Sequence, residues 1–259
     1  NGRWVRNASS LSLPHQDTSP AAWAREDGVY LVTGGLAGIG LEVASHLARN
    51  KRVRLALLAR EPMPAEDKWD SILEKSPSSR VAGRIAKVRE LRALGSHVMV
   101  VAGDVADQNA LSVVVAQVRS AFGPINGVIH AAGVMDDGPM MLKSQEAMRR
   151  VLAPKVAGTL ALDATVSEEL DFFVLFSSVA SSLGLPGQAD YTAANAFQDV
   201  FARARSARAH GRTLVVNWNA WRDVGMAVSA HRREVNGVEP IHFSRHPALD
   251  GYVNEGAER

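Results

Sequence analysis

The stretch Val29-Tyr-Leu-Val-Thr-Gly-Gly-Leu-Ala-Gly-Ile-Gly40 decides the fold of this 259-residue chain. It starts with five residues of high β propensity, continues through a turn that contains four glycines, and leads into an amphipathic segment at 41–50. A glycine turn between a strand and a helix lets the backbone approach a pyrophosphate closely, and the N–H groups of the helix point toward it. The stretch therefore predicts a dinucleotide-binding turn formed by Thr33, Gly34, Gly35, Gly38, Ile39 and Gly40.

Strands and helices alternate along the rest of the chain. After the strand at 29–33, the sequence predicts strands at 53–59, 97–102, 127–131, 171–176 and 213–218, and helical segments at 68–94, 107–122, 143–166 and 191–209. Such alternation indicates right-handed crossovers and a parallel sheet. We therefore predict an α/β fold, a Rossmann-type doubly wound parallel sheet with helices on both faces. Its ligands should lie beyond the carboxyl ends of the strands.

The two ends of the chain lack this periodicity. Residues 1–27 are interpreted as a linker or the tail of a preceding structural subdomain, and residues 227–259 as a lid and C-terminal linker. Residues 28–226 then form the catalytic domain, within which the polar, proline-bearing stretch 61–80 is expected to be a surface insertion.

Composition excludes several other classes of protein. The chain has no cysteine, which rules out disulfides and thiolate chemistry and is compatible with the cytoplasm. Its 29 basic and 27 acidic residues are too evenly balanced to indicate nucleic-acid binding. No apolar run approaches the ~18 residues that a membrane helix needs. We predict no metal site and neither a membrane nor a nucleic-acid partner.

The second strand indicates which nucleotide is bound, because an acidic residue at its end suits a free ribose hydroxyl whereas arginine suits a 2′-phosphate. This strand ends at Arg60, which favours NADP(H), although Glu61 follows directly and a merely solvated arginine is the alternative. After the third strand, Asp104 and Val105 could contact the adenine. After the fourth, small residues leave room for a flat ring: Ala131, Ala132 and Gly133.

A reactive constellation follows the fifth strand. Ser178 ends that strand, and Tyr191 comes 13 residues later and opens the next helix, with Asn195 on the same helical face. A tyrosine near pKa 10 is a poor acid at neutral pH unless a nearby ammonium stabilises its phenolate, which Lys155 on the preceding helix could do. Ser178 would bond the substrate oxygen, and Asn195 would hold the lysine or a relay water. These groups suit the reduction of a carbonyl by a nicotinamide.

These motifs resemble the short-chain dehydrogenase/reductase superfamily and, more closely, the ketoreductase domains of modular polyketide synthases. Free-standing reductases carry Tyr-x-x-x-Lys, whereas this chain has Tyr191-Thr-Ala-Ala-Asn195 and places its lysine in Ala153-Pro-Lys-Val-Ala-Gly158. That exchange is similar to the synthase ketoreductases. The resemblance covers residues 28–226.

The resemblance implies NADPH-dependent reduction of a β-ketoacyl thioester, carried by the phosphopantetheine arm of an acyl carrier protein, next to other synthase domains. Met135-Asp136-Asp137 is similar to the Leu-Asp-Asp motif of B-type domains, which give the D-hydroxy product. Leu183 stands where A-type domains show a tryptophan, and Met226 is grouped with Asp137 and Leu183 as a substrate-controlling residue.

Two alternatives remain from the sequence. One is a free-standing short-chain reductase of a soluble ketone, which the displaced Lys155 argues against. The other is a redox-silent structural or epimerising domain of a synthase, which the intact Tyr191, Lys155 and glycine turn argue against.

Overall fold

The computed structural model describes residues 23–208, 211–222 and 224–226. Within them, six strands form one parallel sheet in the order β3-β2-β1-β4-β5-β6. The strands are β1 (Val29–Thr33), β2 (Arg54–Ala59), β3 (His97–Ala102), β4 (Gly127–His130), β5 (Phe172–Ser178) and β6 (Arg212–Trp218). The predicted Rossmann-type α/β fold is confirmed. The expected lid and linker at 227–259 lie outside the described residues, as do residues 1–22 of the expected N-terminal linker.

Eight α-helices connect these strands in the described part of the chain. They are α1 (Gly38–Asn50), α2 (Trp69–Lys75), α3 (Arg80–Ala93), α4 (Gln108–Phe122), α5 (Gln145–Lys155), α6 (Ala157–Thr165), α7 (Ala180–Leu183) and α8 (Ala189–Ser206). Short 3-10 turns cover Glu66–Lys68 and Met140–Leu142. None of the helices in the described ranges is long and apolar enough to cross a membrane.

The prediction of one helix over 68–94 is wrong, because this segment contains α2 and α3. The Ser79 hydroxyl accepts a hydrogen bond of 3.1 Å from the Ala82 backbone N–H and caps the start of α3. The expected surface insertion is also anchored to the fold. Trp69 is buried, and its indole N–H donates to the Pro64 carbonyl at 2.9 Å. Arg92 lies over the Trp69 ring at 5.3 Å.

Alternating side chains of β1 pack against two separate layers of helices. Val32 faces α1 and α3 and packs in the same apolar cluster as Leu47. Leu31 faces the other side and packs with Val115 of α4. Both faces of the sheet are therefore covered at its centre, as expected of parallel strands, and all residues of β1 and β4 are buried.

The strand order reverses between β1 and β4, which lie side by side at the centre of the sheet. Open α/β sheets bind ligands in the crevice at such a switch point, outside the carboxyl ends of the strands. The β1 end at Thr33 lies next to the β4 end at His130. The glycine turn follows Thr33 directly, so the fold places it at this crevice.

Candidate active site

A cleft of about 430 Å³ opens at the carboxyl ends of β1 to β4. Seven of the residues predicted to bind the cofactor line it: Thr33, Gly34, Arg60, Asp104, Val105, Ala132 and Gly133. The Val105 side chain itself is buried in the core, while Asp104 is exposed. Their convergence supports the predicted nucleotide site.

The glycine turn needs its glycines for close backbone packing. Gly34 has a φ of +68°, and a β-carbon there would lie 3.0 Å from the Ala131 carbonyl oxygen. A β-carbon on Gly40 would lie 2.8 Å from the Gly34 carbonyl oxygen. No side chain in the described residues caps α1 at Ala37. A glycine-rich turn, followed by an uncapped helix N-terminus, fits the pyrophosphate of a dinucleotide.

The other predicted residues of this region pack rather than line the cleft. A β-carbon on Gly35 would contact Leu57, and Ala131 lies against Gly40. Ile39 packs in the core cluster and contacts Gly225, while Gly225 also lies beside Gly38. The turn is thus held between the sheet and the residues near Gly225.

A buried histidine ties β4 to the glycine turn. His130 is fully buried, its Nδ1 lies 2.6 Å from the Thr33 hydroxyl, and its Nε2 lies 2.9 Å from the Pro154 carbonyl. Because a carbonyl only accepts, Nε2 carries the proton and the Thr33 hydroxyl donates to Nδ1. Burial, followed by the Lys155 charge, lowers the pKa of His130 to about 3. The contacts of His130 are therefore those of a structural residue.

The acidic residue that complicates the choice of nucleotide is held away from Arg60 by other arginines. The Glu61 carboxylate accepts hydrogen bonds from Arg80, at 3.0 and 2.8 Å, and from Arg84, at 2.9 Å. These bonds lower the Glu61 pKa, with Arg84 as the largest cause. Arg84 also lines the cleft beside Arg60. Arg60 and Arg84 therefore give the cleft a basic end. The sequence alone did not predict the contribution of Arg84, because Arg84 lies on α3, far along the chain from the end of β2.

The hydrogen bonds of Ser177, Ser178 and Ser181 distinguish structural hydroxyls from the one that interacts with the candidate acid Tyr191. Ser177 donates to the Asn195 carbonyl at 3.2 Å, and Ser181 donates to Asp199 at 2.6 Å, so both hydroxyls stabilise the fold. Ser178 is half-buried, and hydrogen bonding to its hydroxyl lowers the Tyr191 pKa. The spacing argument that favoured Ser178 therefore agrees with the geometry.

Tyr191 and Lys155 lie together in the interior. The Tyr191 pKa is raised, chiefly by burial, while Asn195 and Ser178 act in the opposite direction. The Lys155 ammonium lies 5.9 Å from the centre of the Tyr191 ring. Burial lowers the pKa of Lys155 to about 7, against the charge of Asp199. The lysine therefore titrates near neutral pH in a site that also needs a proton on tyrosine.

Lys155 is held by Gln198, which the sequence analysis did not single out. Its Nζ donates to the Phe176 carbonyl at 2.6 Å and to Gln198 Oε1 at 3.1 Å. Asn195, which was expected to hold the lysine or a relay water, makes no hydrogen bond to Lys155 in the described part of the chain, and its side-chain N–H donates to the Tyr191 carbonyl at 2.7 Å. Its Oδ1 is buried and has no hydrogen-bond partner among the described residues. Gln198 could have been found from its position seven residues after Tyr191, on the same face of α8.

The three substrate-controlling candidates differ in their surroundings. Asp137 is exposed, and Gln188 donates to its carboxylate at 2.8 Å. Desolvation raises the Asp137 pKa, while Gln188 and the Lys143 charge lower it. Leu183 is exposed at the end of α7, and Met226 lies near Gly133. Gly133 also faces Lys155, so the cleft and the Tyr191 cluster meet there.

Comparison with known proteins identifies the family to which this chain belongs. Residues 28–223 match the family described as KR domain. This chain belongs to the ketoreductase domain family of polyketide synthases. It is 40% identical over 208 residues to a 6-methylsalicylic acid synthase of Aspergillus terreus, covering 79% of this chain and 11% of that protein. It is 37% identical over 205 residues to the polyketide synthase PksM of Bacillus subtilis, covering 79% of this chain and 4% of that one.

Solved ketoreductases share the fold. A ketoreductase of the macrolactin assembly line superposes with a TM-score of 0.67 at 35% identity, covering 76% of this chain and 38% of that chain. A structure described as A-type ketoreductases from a modular polyketide synthase gives 0.70 at 31% identity, covering 88% and 44%. This ketoreductase domain thus corresponds to a small part of the synthases it resembles and to under half of these solved chains.

Proposed function

We propose that this domain reduces a β-ketoacyl thioester, carried on the phosphopantetheine of an acyl carrier protein, to the β-hydroxyacyl thioester with NADPH. The observation that carries the proposal is the convergence of Tyr191, Ser178 and Lys155 where the cleft reaches Gly133. Residues 28–226 are proposed as the catalytic domain, acting beside other synthase domains in the cytoplasm.

The residues of the cluster divide the chemistry between them. Bound NADPH supplies the hydride that reduces the ketone carbon. Tyr191 donates the proton that the carbonyl oxygen needs, and Ser178 donates a hydrogen bond to the same oxygen. The oxygen thereby becomes a hydroxyl, and no charge is left on the substrate.

Lys155 and Asn195 support the tyrosine after it has lost its proton. A positive charge on Lys155 stabilises the phenolate, and burial strengthens that interaction because little water screens it. Phe176 and Gln198 hold the ammonium in place. The unpartnered Oδ1 of Asn195 is a buried acceptor, which suits a water that returns a proton from solvent.

The basic end of the cleft supports NADPH over NADH. Arg60 lines the cleft and makes no ion pair with any described residue, whereas Glu61 is engaged by Arg80 and Arg84. A 2′-phosphate would give Arg60 a negatively charged partner, and arginine binds phosphate with charge-assisted hydrogen bonds.

We propose B-type, D-hydroxy stereochemistry for the product. The proposal rests on Asp137, whose charge acts on Tyr191 and whose carboxylate is held by Gln188, and on Leu183, which stands where A-type domains of the family show a tryptophan. Met226 lies close to Gly133. Together these residues would fix which face of the ketone is presented to the hydride.

The test measures NADPH and NADH oxidation at 340 nm with a β-ketoacyl N-acetylcysteamine thioester and, in parallel, with the same acyl group on a carrier protein. Tyr191→Phe should lower turnover by about 10²- to 10⁴-fold while NADPH binding is retained. Tyr30→Phe is the matched control, since the Tyr30 hydroxyl accepts a hydrogen bond from the Arg25 backbone N–H at the start of β1, at the opposite end of that strand from the glycine turn.

The alcohol is resolved on a chiral column. An L-hydroxy product would contradict the B-type assignment alone. A folded protein that binds NADPH but reduces neither thioester would contradict the reductase and leave the redox-silent alternative. Reduction of the free thioester at the rate of the carrier-bound one would argue against carrier-protein recognition.

A further inference from the structure

An ion pair between the loop after β4 and the start of α8 lies beside Tyr191 of the proposed catalytic cluster. The Lys143 ammonium, at the end of the loop after β4, bonds the carboxylate of Asp190 in the first turn of α8. The two side chains are 6% and 5% exposed. The same ammonium donates to the backbone carbonyl of Asp136.

The two contacts of Lys143 flank the two functional residues. Asp136 directly precedes Asp137, and Asp190 directly precedes Tyr191. The other carboxylate oxygen of Asp190 accepts from the Tyr191 backbone N–H at 2.9 Å. A single side chain therefore connects the loop that carries Asp137 with the turn that carries Tyr191.

Further bonds join the same two segments at their outer edge. The Gly138 N–H donates to the Gly187 carbonyl at 2.9 Å, and Gln188 donates to the Asp137 carboxylate at 2.8 Å. The bonds of Lys143 to Asp136 and Asp190 complete this set on the buried side, where the ammonium has little access to water. Its carboxylate partner also lies at the N-terminal end of α8, where negative charge is favourable.

A buried ion pair adds little net stability, since both charges give up their hydration, but removing one partner is costly. The main effect of the Lys143–Asp190 pair is on geometry. An ammonium with two fixed acceptors restricts how the loop after β4 moves relative to the start of α8. We propose that Lys143 is a positioning residue that holds Asp137 in a fixed relation to Tyr191 and so sets which face of the ketone is reduced. The inference rests on the reductase function proposed above.

Three variants test the proposal: Lys143→Met, Asp190→Asn and the double variant. Both single changes should lower the ratio of major to minor alcohol by about tenfold and kcat by about 10- to 100-fold, since small misplacements of a reacting group have effects of that size. The double variant removes the unpaired buried charge and should recover thermal stability. Its stereoselectivity should stay low, because the bond to the Asp136 carbonyl is still missing.

The matched control is Arg205→Met, which breaks a second largely buried ion pair at the other end of α8. Arg205 donates to Asp163 at 2.7 Å, and the two side chains are 5% and 15% exposed. This variant should lose stability while keeping the wild-type product ratio. A wild-type product ratio in Lys143→Met, or recovery of the ratio in the double variant, would overturn the positioning role.

Amide hydrogen exchange provides a readout that needs no turnover. Peptides covering 136–143 and 187–192 should exchange faster in Lys143→Met than in Arg205→Met, compared at equal distance below their melting temperatures. If the wild type reduces no ketone, the reductase proposal fails while exchange still tests the link. Unchanged exchange in both peptides would overturn the inference.

Discussion

The Lys155 ammonium donates a 2.6 Å hydrogen bond to the carbonyl oxygen of Phe176, two residues before Ser178 on β5. This bond fixes the end of α5 to the strand that ends at Ser178. The same ammonium lies 5.9 Å from the Tyr191 ring centre. One buried amine thus connects the three elements that carry the proposed proton-donating cluster.

Replacing Lys155 should change both turnover and the pH dependence of stability. Burial lowers its folded-state pKa to about 7, while an unfolded lysine titrates near 10.4. Between these values the unfolded chain binds more protons, so the free energy of unfolding of the wild type should gain a positive contribution as pH rises from 7 toward 10. Lys155→Met lacks that contribution and should also lose about 10²-fold or more in kcat.

Urea denaturation followed by tryptophan fluorescence, at pH steps from 7 to 9.5, measures the slope. Lys87→Met is the control, because Lys87 is exposed and pairs only with Glu90 on the surface among the described residues. Equal slopes for the wild type and Lys155→Met would contradict a neutral-range pKa for the buried amine.

His130 should make the protein sensitive to acid. Its folded-state pKa of about 3 lies below the unfolded value of about 6.5, so stability is complete above pH 6.5 and is lost as pH falls toward 3. The loss from this residue is at most about 1.4 kcal/mol per pH unit. His130→Gln retains a donor for the Pro154 carbonyl without a titrating group, so its unfolding free energy should fall less steeply. His46→Gln, an exposed histidine on α1, should follow the wild type.

The sheet could be predicted because each strand and turn is determined by a short stretch of neighbouring residues. Thr33 to Gly40 combines a strand end, a glycine turn and a helix start, and these features act over a few residues. The prediction that Ser178 bonds the substrate oxygen followed from its spacing of 13 residues from Tyr191 in the sequence. The Ser79 cap that begins α3 is a local signal that was missed. The burial of Trp69 under Arg92 depends on how the segment packs and could not be predicted locally.

The missing parts of the site are contacts between distant residues. Gln198 holds Lys155 across 43 positions, and Lys143 reaches Asp190 across 47. The spacing of Gln198 from Tyr191 predicts a shared face of α8, but only the folded chain shows that this face meets Lys155. Lys143 has no comparable signal in the sequence. The hydrogen bond from Arg84 to Glu61 is another contact between distant residues. Hydrophobic periodicity predicts the helix that carries Arg84, but it does not predict that this side chain lines the cleft.

Arg60 should determine the choice between the two nicotinamide nucleotides. Arg60→Ala should weaken binding of adenosine 2′,5′-bisphosphate by about 10-fold or more, since a charged hydrogen bond contributes about 1.5–3 kcal/mol, and should leave adenosine 5′-monophosphate nearly unchanged. Isothermal titration calorimetry of both ligands measures the difference. Arg89→Ala is the control because Arg89 pairs with Asp70, away from the cleft. Equal losses for both ligands would argue that Arg60 acts on the fold rather than on the 2′-phosphate.

Two glycines should respond to alanine in opposite directions. Gly34→Ala places a β-carbon at a φ of +68° and 3.0 Å from the Ala131 carbonyl oxygen, so unfolding should become easier by about 1–3 kcal/mol and NADPH affinity should fall. Gly83 lies exposed within α3, where a β-carbon would meet nothing within 4 Å, so Gly83→Ala should stabilise the protein by about 0.5–1 kcal/mol without changing NADPH binding. Urea melts and fluorescence titration with NADPH measure both. An unchanged NADPH affinity in folded Gly34→Ala would show that the turn does not approach the pyrophosphate closely.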